Sequence, residues 1–271
     1  MKSDDILYLR NLVRENSAIV IEVGKEYLFE TRLAPLIRQE GINSLEALVD
    51  KIRSEPYNGL HQNVVEAMTI NETSFFRDAH PFESIRTVLL PELIANRSKL
   101  RKLNIWSAAC SSGQEPYSLA MMIREHFPEI HDWEINIVAT DISTQILERA
   151  KSGIYNQFEA NRGLPATYLV KYFEEIGSDW RIRGELRQMI RFTPMNLAGT
   201  WLPMPSMDLI LLRNVMIYFD METKREILRK IRYLIKPDGT LFLGGAETTR
   251  QIDNDYGMIR VGKSICYRPV R

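Results

Sequence analysis

Residues 103–125 read LNIWSAACSSGQEPYSLAMMIRE, and this stretch decides the fold class of the chain. The apolar run at 103–109 predicts a strand that enters a turn of small residues, and residues 115–125 predict the helix that follows. In the turn, residues 107–113, small side chains let the backbone approach a ligand, and the helix offers N–H groups. The alternative is a tight turn without a ligand. The turn matches neither the GxGxxG pattern of dinucleotide sites nor the Gly-Lys-Ser/Thr of a phosphate-binding loop.

Strands and helices continue to alternate toward the C-terminus. Strands are predicted over 133–140, 208–212, 241–243 and 264–267, and helices over 143–151 and 223–235. The alternation favours an α/β fold with helices on both faces of a parallel sheet. Because such sheets bind ligands at the carboxyl ends of their strands, we expect the site at residues 107–115, Asp141, Asn196 and residues 213–218.

Residues 1–85 show a different pattern and are predicted to form a separate helical domain, ahead of a sheet domain at 86–271. Apolar residues recur there at helical spacing, as in Ile6, Leu9, Leu12 and Val13, and again in Leu45, Leu48, Val49 and Ile52. Within the sheet domain, residues 180–183 and 189–192 alternate apolar and charged side chains. That pattern suggests a small antiparallel β insert, at about 174–194, with one face in water.

Composition excludes several functional classes. The 271 residues include 35 Lys plus Arg and 35 Asp plus Glu, so the chain lacks the basic excess typical of proteins that coat nucleic acid. No apolar run approaches the ~18 residues of a membrane span, and Asp4 and Asp5 argue against a signal peptide. Cys110 and Cys266 lack metal-site spacing, so no metal is expected. These features predict a soluble cytoplasmic protein.

Asp141 directly follows a predicted strand and has two possible roles. An acidic residue at that position can accept hydrogen bonds from both hydroxyls of a ribose. Alternatively, its carboxylate caps the helix that begins near Ser143. The position alone leaves both roles open.

Two further segments carry polar side chains next to apolar ones. In residues 71–78, Arg77 could hold a carboxylate through two hydrogen bonds, or it could pair with Asp78 or Glu83 in solvent. In residues 213–220, Arg213 follows a buried strand, where an unsatisfied charge is expensive. Arg213 is therefore either a ligand-contacting residue or part of a structural ion pair.

Six segments, taken in order, resemble one family. They are INETSFFRD (70–78), IWSAACSSGQEPYSLA (105–120), VATDISTQILERAKSGIY (138–155), FTPMNL (192–197), DLILLRNVMIYFD (208–220) and IKPDGTLFLGGAE (235–247). Together they are similar to the chemotaxis receptor glutamate methyltransferases, the CheR family, over roughly residues 20–267. The resemblance implies a class I, Rossmann-like methyltransferase sheet with an N-terminal all-helical domain and a small antiparallel β insert.

The resemblance also implies a cofactor and a set of site residues. The cofactor is S-adenosylmethionine (SAM), and the product is S-adenosylhomocysteine. The residues implied to bind the cofactor are Asn71, Thr73, Arg77, Glu115 (amino group), Asp141 (ribose), Asn196 and Leu197 (adenine), Asn214 and Val215. Those implied to lie near the reacting methyl or the acceptor are Arg77, Tyr218 and Arg213.

The implied reaction transfers a methyl group to glutamate side chains of chemoreceptors. A glutamate carboxyl has a pKa of about 4.3 and is ionised at neutral pH, so no general base is needed. Orienting the reactants can supply roughly 7–11 kcal/mol. We therefore expect Arg77 and Tyr218 to orient the acceptor.

The implied partner is the cytoplasmic signalling domain of a chemoreceptor, bound by a monomer. Lys25, Arg32 and Arg38 are expected on one helical segment, as a docking row or as a solvated face. Some relatives first bind a pentapeptide at the receptor C-terminus through the β insert. Relatives that use this tether tend to have a longer, glycine-richer loop in the insert. The segment 174–179 is short and contains one glycine, so we expect no dependence on the tether. The alternatives are a SAM-dependent methyltransferase with another substrate and a non-catalytic SAM-binding adaptor.

Overall fold

Helices occupy the first part of the chain and a large sheet the rest. The computed structural model describes residues 2–270 and separates into two compact units. The first unit runs to Ile70 and also includes Tyr218–Lys224, and the second comprises Asn71–Ile217 and the chain from Arg225 onward. No helix among the described residues has the length and apolar character needed to cross a membrane.

Residues 2–70 fold into helices that share an apolar core. The helices are α1 (Ser3–Ser17), α2 (Tyr27–Gln39), α3 (Leu45–Ser54) and α4 (Gly59–Ala67). The Ser44 hydroxyl accepts a hydrogen bond from the Ala47 N–H at 3.1 Å and so fixes the start of α3. The fully buried side chains include Leu9, Val13, Phe29, Leu33, Leu48 and Ile52. Burial of each large apolar side chain stabilises the unit by about 1.5–3 kcal/mol.

The segment Tyr218–Lys224 joins this unit through the loop that follows α1. The Val20 N–H donates to the Tyr218 carbonyl at 2.9 Å, and Ile19 and Phe219 form an antiparallel bridge. These contacts explain why residues so distant in sequence belong to the first unit.

The strands of the second unit form one large sheet and one small sheet. In chain order they are β1 (Lys102–Ala108), β2 (Glu134–Asp141), β3 (Ile154–Asn156), β4 (Phe173–Ile176), β5 (Asp179–Ile182), β6 (Ile190–Pro194), β7 (Met207–Leu212), β8 (Ile235–Leu243), β9 (Tyr256–Val261) and β10 (Ser264–Pro269). The large sheet has the order β6-β2-β1-β7-β8-β10-β9. Its first five strands are parallel, and β10 runs antiparallel to both of its neighbours.

Helices connect these strands. They are α5 (His80–Ser84), α6 (Leu90–Arg97), α7 (Gln114–His126), α8 (Thr144–Ser152), α9 (Gln157–Asn161), α10 (Ala166–Tyr172), α11 (Gly184–Arg187) and α12 (Met221–Leu234). A π-helical turn, Ile85–Leu89, joins α5 to α6, and 3-10 turns occur at Pro128–Ile130 and Met216–Tyr218. The helices predicted over 115–125, 143–151 and 223–235 are confirmed as α7, α8 and α12.

Strand β1 lies between β2 and β7, so the strand order reverses on either side of it. Its side chains are almost all buried, and Trp106 is inaccessible to solvent. The Trp106 indole N–H donates to the Thr140 hydroxyl at 2.9 Å, which satisfies the polar atom of a buried ring. A strand-order reversal of this kind is where open α/β sheets bind ligands.

The β insert differs in its strands from the one expected. The small sheet has the order β3-β5-β4, so it takes in residues 154–156 and only the first of the two predicted strands. The second, at 189–192, is part of β6, which pairs in parallel with β2 at the edge of the large sheet. The sequence pattern could not separate these cases, because an edge strand with one wet face alternates in the same way.

The boundary of the first unit also lies earlier than the expected residue 85. Phe75, Phe82 and Ile85 are buried in the core of the second unit. Helical spacing predicts helices over the first 85 or so residues, but it does not show which core their apolar side chains enter.

Candidate active site

The turn between β1 and α7 has an unusual backbone. Ala109, Ser111 and Gly113 have φ angles of 54°, 51° and 92°, and the residues between them have negative φ. Alternation of this kind turns successive N–H groups toward one side and forms a concave anion-binding surface. Left-handed conformations at two non-glycine residues are costly and are concentrated at functional sites.

Neighbouring side chains hold the turn in place. The Cys110 N–H donates to the Thr140 carbonyl at 2.9 Å, and the Tyr155 hydroxyl donates to the Ser112 carbonyl at 2.6 Å. A Cβ at Gly113 would lie 3.0 Å from the Cβ of Ala150, so this position has no room for a side chain.

The Cys110 thiol lies in this turn but is not a nucleophile. Burial raises its pKa well above the ordinary value, and the negative charges of Asp141 and Glu115 raise the pKa further. Because the thiolate is the reactive form, the protonated thiol acts as a small apolar side chain.

Asp141 ends β2 and binds the turn directly. Its Oδ2 accepts from the Ser111 N–H at 2.8 Å, and its Oδ1 accepts from the Ser143 N–H at 3.0 Å. The cap of α8 is Ser143, whose hydroxyl accepts from the Ile146 N–H at 3.2 Å. The cap residue of α8 is thus Ser143, and the Asp141 carboxylate binds the backbone both of the turn after β1 and of the start of α8.

Glu115, in the first turn of α7, belongs to a charge cluster in which Glu115 and Arg213 are buried and Asp78 is exposed. Its Oε1 accepts from the Ser107 hydroxyl at 2.7 Å, and its Oε2 accepts from Arg213 Nη1 at 2.9 Å. Arg213 Nη2 donates to the Asp78 carboxylate at 2.7 Å and to the Arg77 carbonyl at 2.9 Å. The Arg213 side chain is only 2% exposed, so its guanidinium forms a structural ion pair, one of the two roles that the sequence left open.

The segment 71–78 packs on the turn and on α7. The Asn71 carbonyl accepts from the Ser111 hydroxyl at 2.8 Å, and the Phe76 N–H donates to the Ser118 hydroxyl at 2.9 Å. Arg77 Nη1 donates to the Glu72 carbonyl at 3.0 Å. Neither solvent pair considered for Arg77 is present, because Asp78 pairs with Arg213 and Glu83 pairs with Arg86. Thr73 lies on the same segment and is half-buried.

Residues 195–197 follow β6 and lie beside the end of β2. The Met195 N–H donates to the Asp141 carbonyl at 2.8 Å, and the Asn196 side-chain oxygen accepts from the Ala198 N–H at 2.9 Å. Leu197 is buried, and its carbonyl accepts from the Trp201 indole N–H at 2.9 Å.

Asn214 and Val215 follow β7, and both are half-buried. Asn214 has a φ angle of 60°, and its N–H donates to Glu247 Oε2 at 2.8 Å. Of the predicted site residues, Tyr218 belongs to the first unit and the others belong to the second.

Sequence reasoning missed several partners of the predicted residues. Ser107, Ser111 and Asp78 each bind a predicted residue or its backbone, and Glu247 binds the backbone of Asn214. The signal for Ser107 and Ser111 was their place in the small-residue turn. Nothing in the local pattern indicated that Glu247 binds this segment, because its contacts to Asn214 and Ile217 are to backbone atoms 33 and 30 residues earlier.

Comparison with known proteins identifies the family. Residues 4–69 match the model of the CheR methyltransferase all-alpha domain, and residues 71–265 match that of the CheR methyltransferase SAM binding domain. The chain belongs to the CheR methyltransferase family. Its division near residue 70 agrees with the two compact units.

Curated relatives cover nearly the whole chain. Chemotaxis protein methyltransferase 1 of Pseudomonas aeruginosa is 40% identical over 269 residues, which cover 97% of each chain. Chemotaxis protein methyltransferase Cher2 of Pseudomonas putida is 38% identical over 269 residues, again 97% of each chain. The chemotaxis protein methyltransferase of Vibrio parahaemolyticus is 36% identical over 254 residues, which cover 92% of this chain and 91% of the relative.

As a member of this family the chain is a SAM-dependent methyltransferase, as the resemblance implied. The residues present fit SAM, because the Asp141 and Glu115 carboxylates lie at and just after the β1–α7 turn. Carboxylates there can accept hydrogen bonds from the hydroxyl and amino groups of that cofactor.

The charge cluster predicts a large effect of Arg213→Ala on stability. The variant strips the buried Glu115 carboxylate of its partner, so the free energy of unfolding should fall by about 3–5 kcal/mol. Arg77→Ala is the matched control: it removes a hydrogen bond to one carbonyl and should cost about 1 kcal/mol or less. Urea unfolding of the three proteins measures both values. Equal, small losses would show that the CheR protein does not depend on an Arg213–Glu115 pair.

Proposed function

We propose that the chain transfers the methyl group of SAM to glutamate side chains in the cytoplasmic signalling domain of chemoreceptors. The products are glutamate methyl esters and S-adenosylhomocysteine. The observation that carries the proposal is the match to both CheR domains, together with relatives named chemotaxis protein methyltransferases over 97% of the chain. On this proposal the protein acts in the cytoplasm.

Different site residues are proposed to bind different parts of the cofactor. The turn 109–113 and Glu115 hold the methionine part, Asp141 holds the ribose, and Asn196 and Leu197 flank the adenine. Support comes from the sheet: β1, β2, β6 and β7 are parallel neighbours, so the segments after their carboxyl ends lie along one edge. Asn71 and Thr73 approach this edge through the Asn71–Ser111 contact, and Asn214 and Val215 approach it from β7.

The chemistry asks little of the protein beyond orientation. When bound, SAM supplies a methyl group on a positively charged sulfur, which is already activated. The acceptor carboxylate is ionised at neutral pH, so no proton has to be removed. The carboxylates of Asp141 and Glu115 are engaged by N–H and guanidinium donors, which suits recognition of the cofactor more than proton abstraction.

Orientation of the acceptor is assigned to Arg77 and Tyr218. Within residues 2–270 the Arg77 guanidinium donates one hydrogen bond, to the Glu72 carbonyl, and it lies near the Glu72 carboxylate, so it can turn toward an incoming carboxylate. Arg77 must bind the acceptor carboxylate weakly, because a strong ion pair in the ground state would lower the nucleophilicity of the carboxylate and slow methyl transfer. Arg213 takes a different part from the one expected: it positions Glu115 against residues 77–78 and does not itself reach the acceptor.

Docking of the receptor is proposed for the first unit, but the expected basic row is altered. Lys25 precedes α2 and pairs with Glu22 at 2.7 Å, so it is not on the helix with the other two residues. Arg32 donates to the Met68 carbonyl at 2.7 Å, and Arg38 is exposed. We assign receptor contacts to Arg38 and Lys25 and a structural role to Arg32.

The proposal is tested with tritiated SAM, chemoreceptor-containing membranes and the purified protein. Label should appear on the receptor and be released by mild base, because carboxyl methyl esters are base-labile. Membranes without receptor are the control. Label on nucleic acid, or base-stable label on the receptor, would point to a methyltransferase with another substrate. Absence of transfer with intact SAM binding would indicate a non-catalytic adaptor.

Asp141→Ala should weaken binding of S-adenosylhomocysteine by about 1–3 kcal/mol, because the ribose hydroxyls lose an acceptor. The corresponding change in Kd, about 5- to 150-fold, is measured by isothermal titration. Ser143→Ala is the control, since it removes the cap of α8 without touching the turn. It should lower the melting temperature and leave Kd unchanged. Unchanged affinity in Asp141→Ala would contradict the ribose assignment.

The small sheet predicts independence from a receptor tether. The hairpin β4–β5 closes over Gly177 and Ser178 alone, with Ile176 paired to Asp179. It therefore lacks the longer, glycine-rich loop that the resemblance associates with tethering. Titration with a C-terminal receptor pentapeptide should show no binding at tens of micromolar peptide, and receptor lacking this peptide should be methylated at the same rate. Tight binding would refute the expectation.

A further inference from the structure

The Glu247 carboxylate accepts hydrogen bonds from backbone N–H groups that follow two neighbouring strands, β7 and β8. Strand β8 ends at Leu243, and the chain then turns back on itself. The Glu247 N–H donates to the Gly244 carbonyl at 2.9 Å. Glu247 Oε2 accepts from the Gly244 N–H at 2.6 Å and from the Asn214 N–H at 2.8 Å. Its Oε1 accepts from the Ile217 N–H at 3.3 Å. A single side chain thus receives three backbone donors.

Two features of the local sequence fit this carboxylate. A Cβ at Gly244 would lie 2.7 Å from Glu247 Oε2 and 2.8 Å from the Asn214 nitrogen atoms, so only glycine leaves room for the contact. Asn214 adopts a φ angle of 60°, which asparagine tolerates better than most residues. The strained position is the one whose N–H the carboxylate binds.

The segment held in this way includes residues proposed to act in methyl transfer. Glu247 fixes the chain at Asn214, where it leaves β7, and again at Ile217, one residue before Tyr218. Val215 lies between these two points. We infer that Glu247 is a positioning residue, which sets the backbone of 214–217 for cofactor binding and for presentation of Tyr218. This inference rests on the proposed roles of those residues.

The role requires an acceptor with two oxygens. A carboxylate accepts through both oxygens, whereas the amide of glutamine has one acceptor and one donor. Glu247→Gln can keep its oxygen on the N–H groups of Gly244 and Asn214 while its amide faces the Ile217 N–H. Glu247→Ala loses all of these contacts. Glu247→Ala should therefore have a larger effect on cofactor binding than Glu247→Gln.

The test measures Kd for S-adenosylhomocysteine, kcat and KM for the receptor, and the melting temperature of the full chain. Glu247→Ala should raise Kd at least tenfold and lower kcat at least tenfold, with the receptor KM within threefold of the parent value. Glu247→Gln should fold as the parent does and raise Kd by about two- to fivefold. The glutamine variant keeps the test decisive if the alanine variant does not fold.

Asp208→Asn is the matched control for a loss of stability alone. Asp208 is a fully buried carboxylate near the amino end of β7, where it accepts from Arg97, Lys236 and the Asn104 N–H. Its variant should melt at a lower temperature and keep the parent Kd within twofold. Parent-like Kd and kcat in Glu247→Gln and in folded Glu247→Ala would overturn the inference, as would the same changes in Asp208→Asn. If the parent methylates no receptor, the proposed function fails, while the cofactor titrations still decide the role of Glu247.

Discussion

The position of β1 between β2 and β7 is the constraint on which the site depends. Because the strand order reverses there, the connections after β1 and after β7 leave the sheet edge in opposite directions, and a reversal of this kind opens a crevice at the carboxyl ends of the strands. Within the turn 109–113 the Cys110 N–H still pairs with the Thr140 carbonyl of β2, and the N–H groups that follow need other acceptors. Asp141 supplies one of them at Ser111, which fixes the shape of the turn before any ligand is bound.

The ion cluster around Arg213 connects α7 to the segment 77–78. Removing charges from water costs several kcal/mol per ion, so a buried pair is weak evidence for stability. The cluster of Glu115, Arg213 and Asp78 is better explained by geometry: one planar guanidinium joins α7 to the segment 77–78 through donors in fixed directions. The Arg213 guanidinium thereby ties together two segments that are separate in sequence.

Sequence patterns predicted the parts of the fold that depend on local periodicity. The run at 103–109 and the helix after it follow from apolar spacing, and the edge of the sheet where polar residues meet follows from parallel topology. The strand at 189–192 was placed in the wrong sheet, because alternation records one wet face and not the identity of the neighbour. The role of Arg213 was left open for a similar reason. A charged residue after a buried strand requires a partner, but the sequence does not show which residue that partner is.

The remaining question is how a site with two carboxylates can admit a third as substrate. A bare charge about 6 Å from the acceptor would repel it by roughly 3 kcal/mol at an effective dielectric constant of about 20. Two backbone N–H dipoles point at the Asp141 carboxylate, and the Arg213 guanidinium offsets one of the two negative charges of Glu115 and Asp78, so these contacts weaken the repulsion without cancelling it. On the proposed function, the positive sulfur of SAM supplies the attraction at the acceptor. Electrostatic attraction guides the glutamate carboxylate to the methyl group, although no cation of the protein has to bind it tightly.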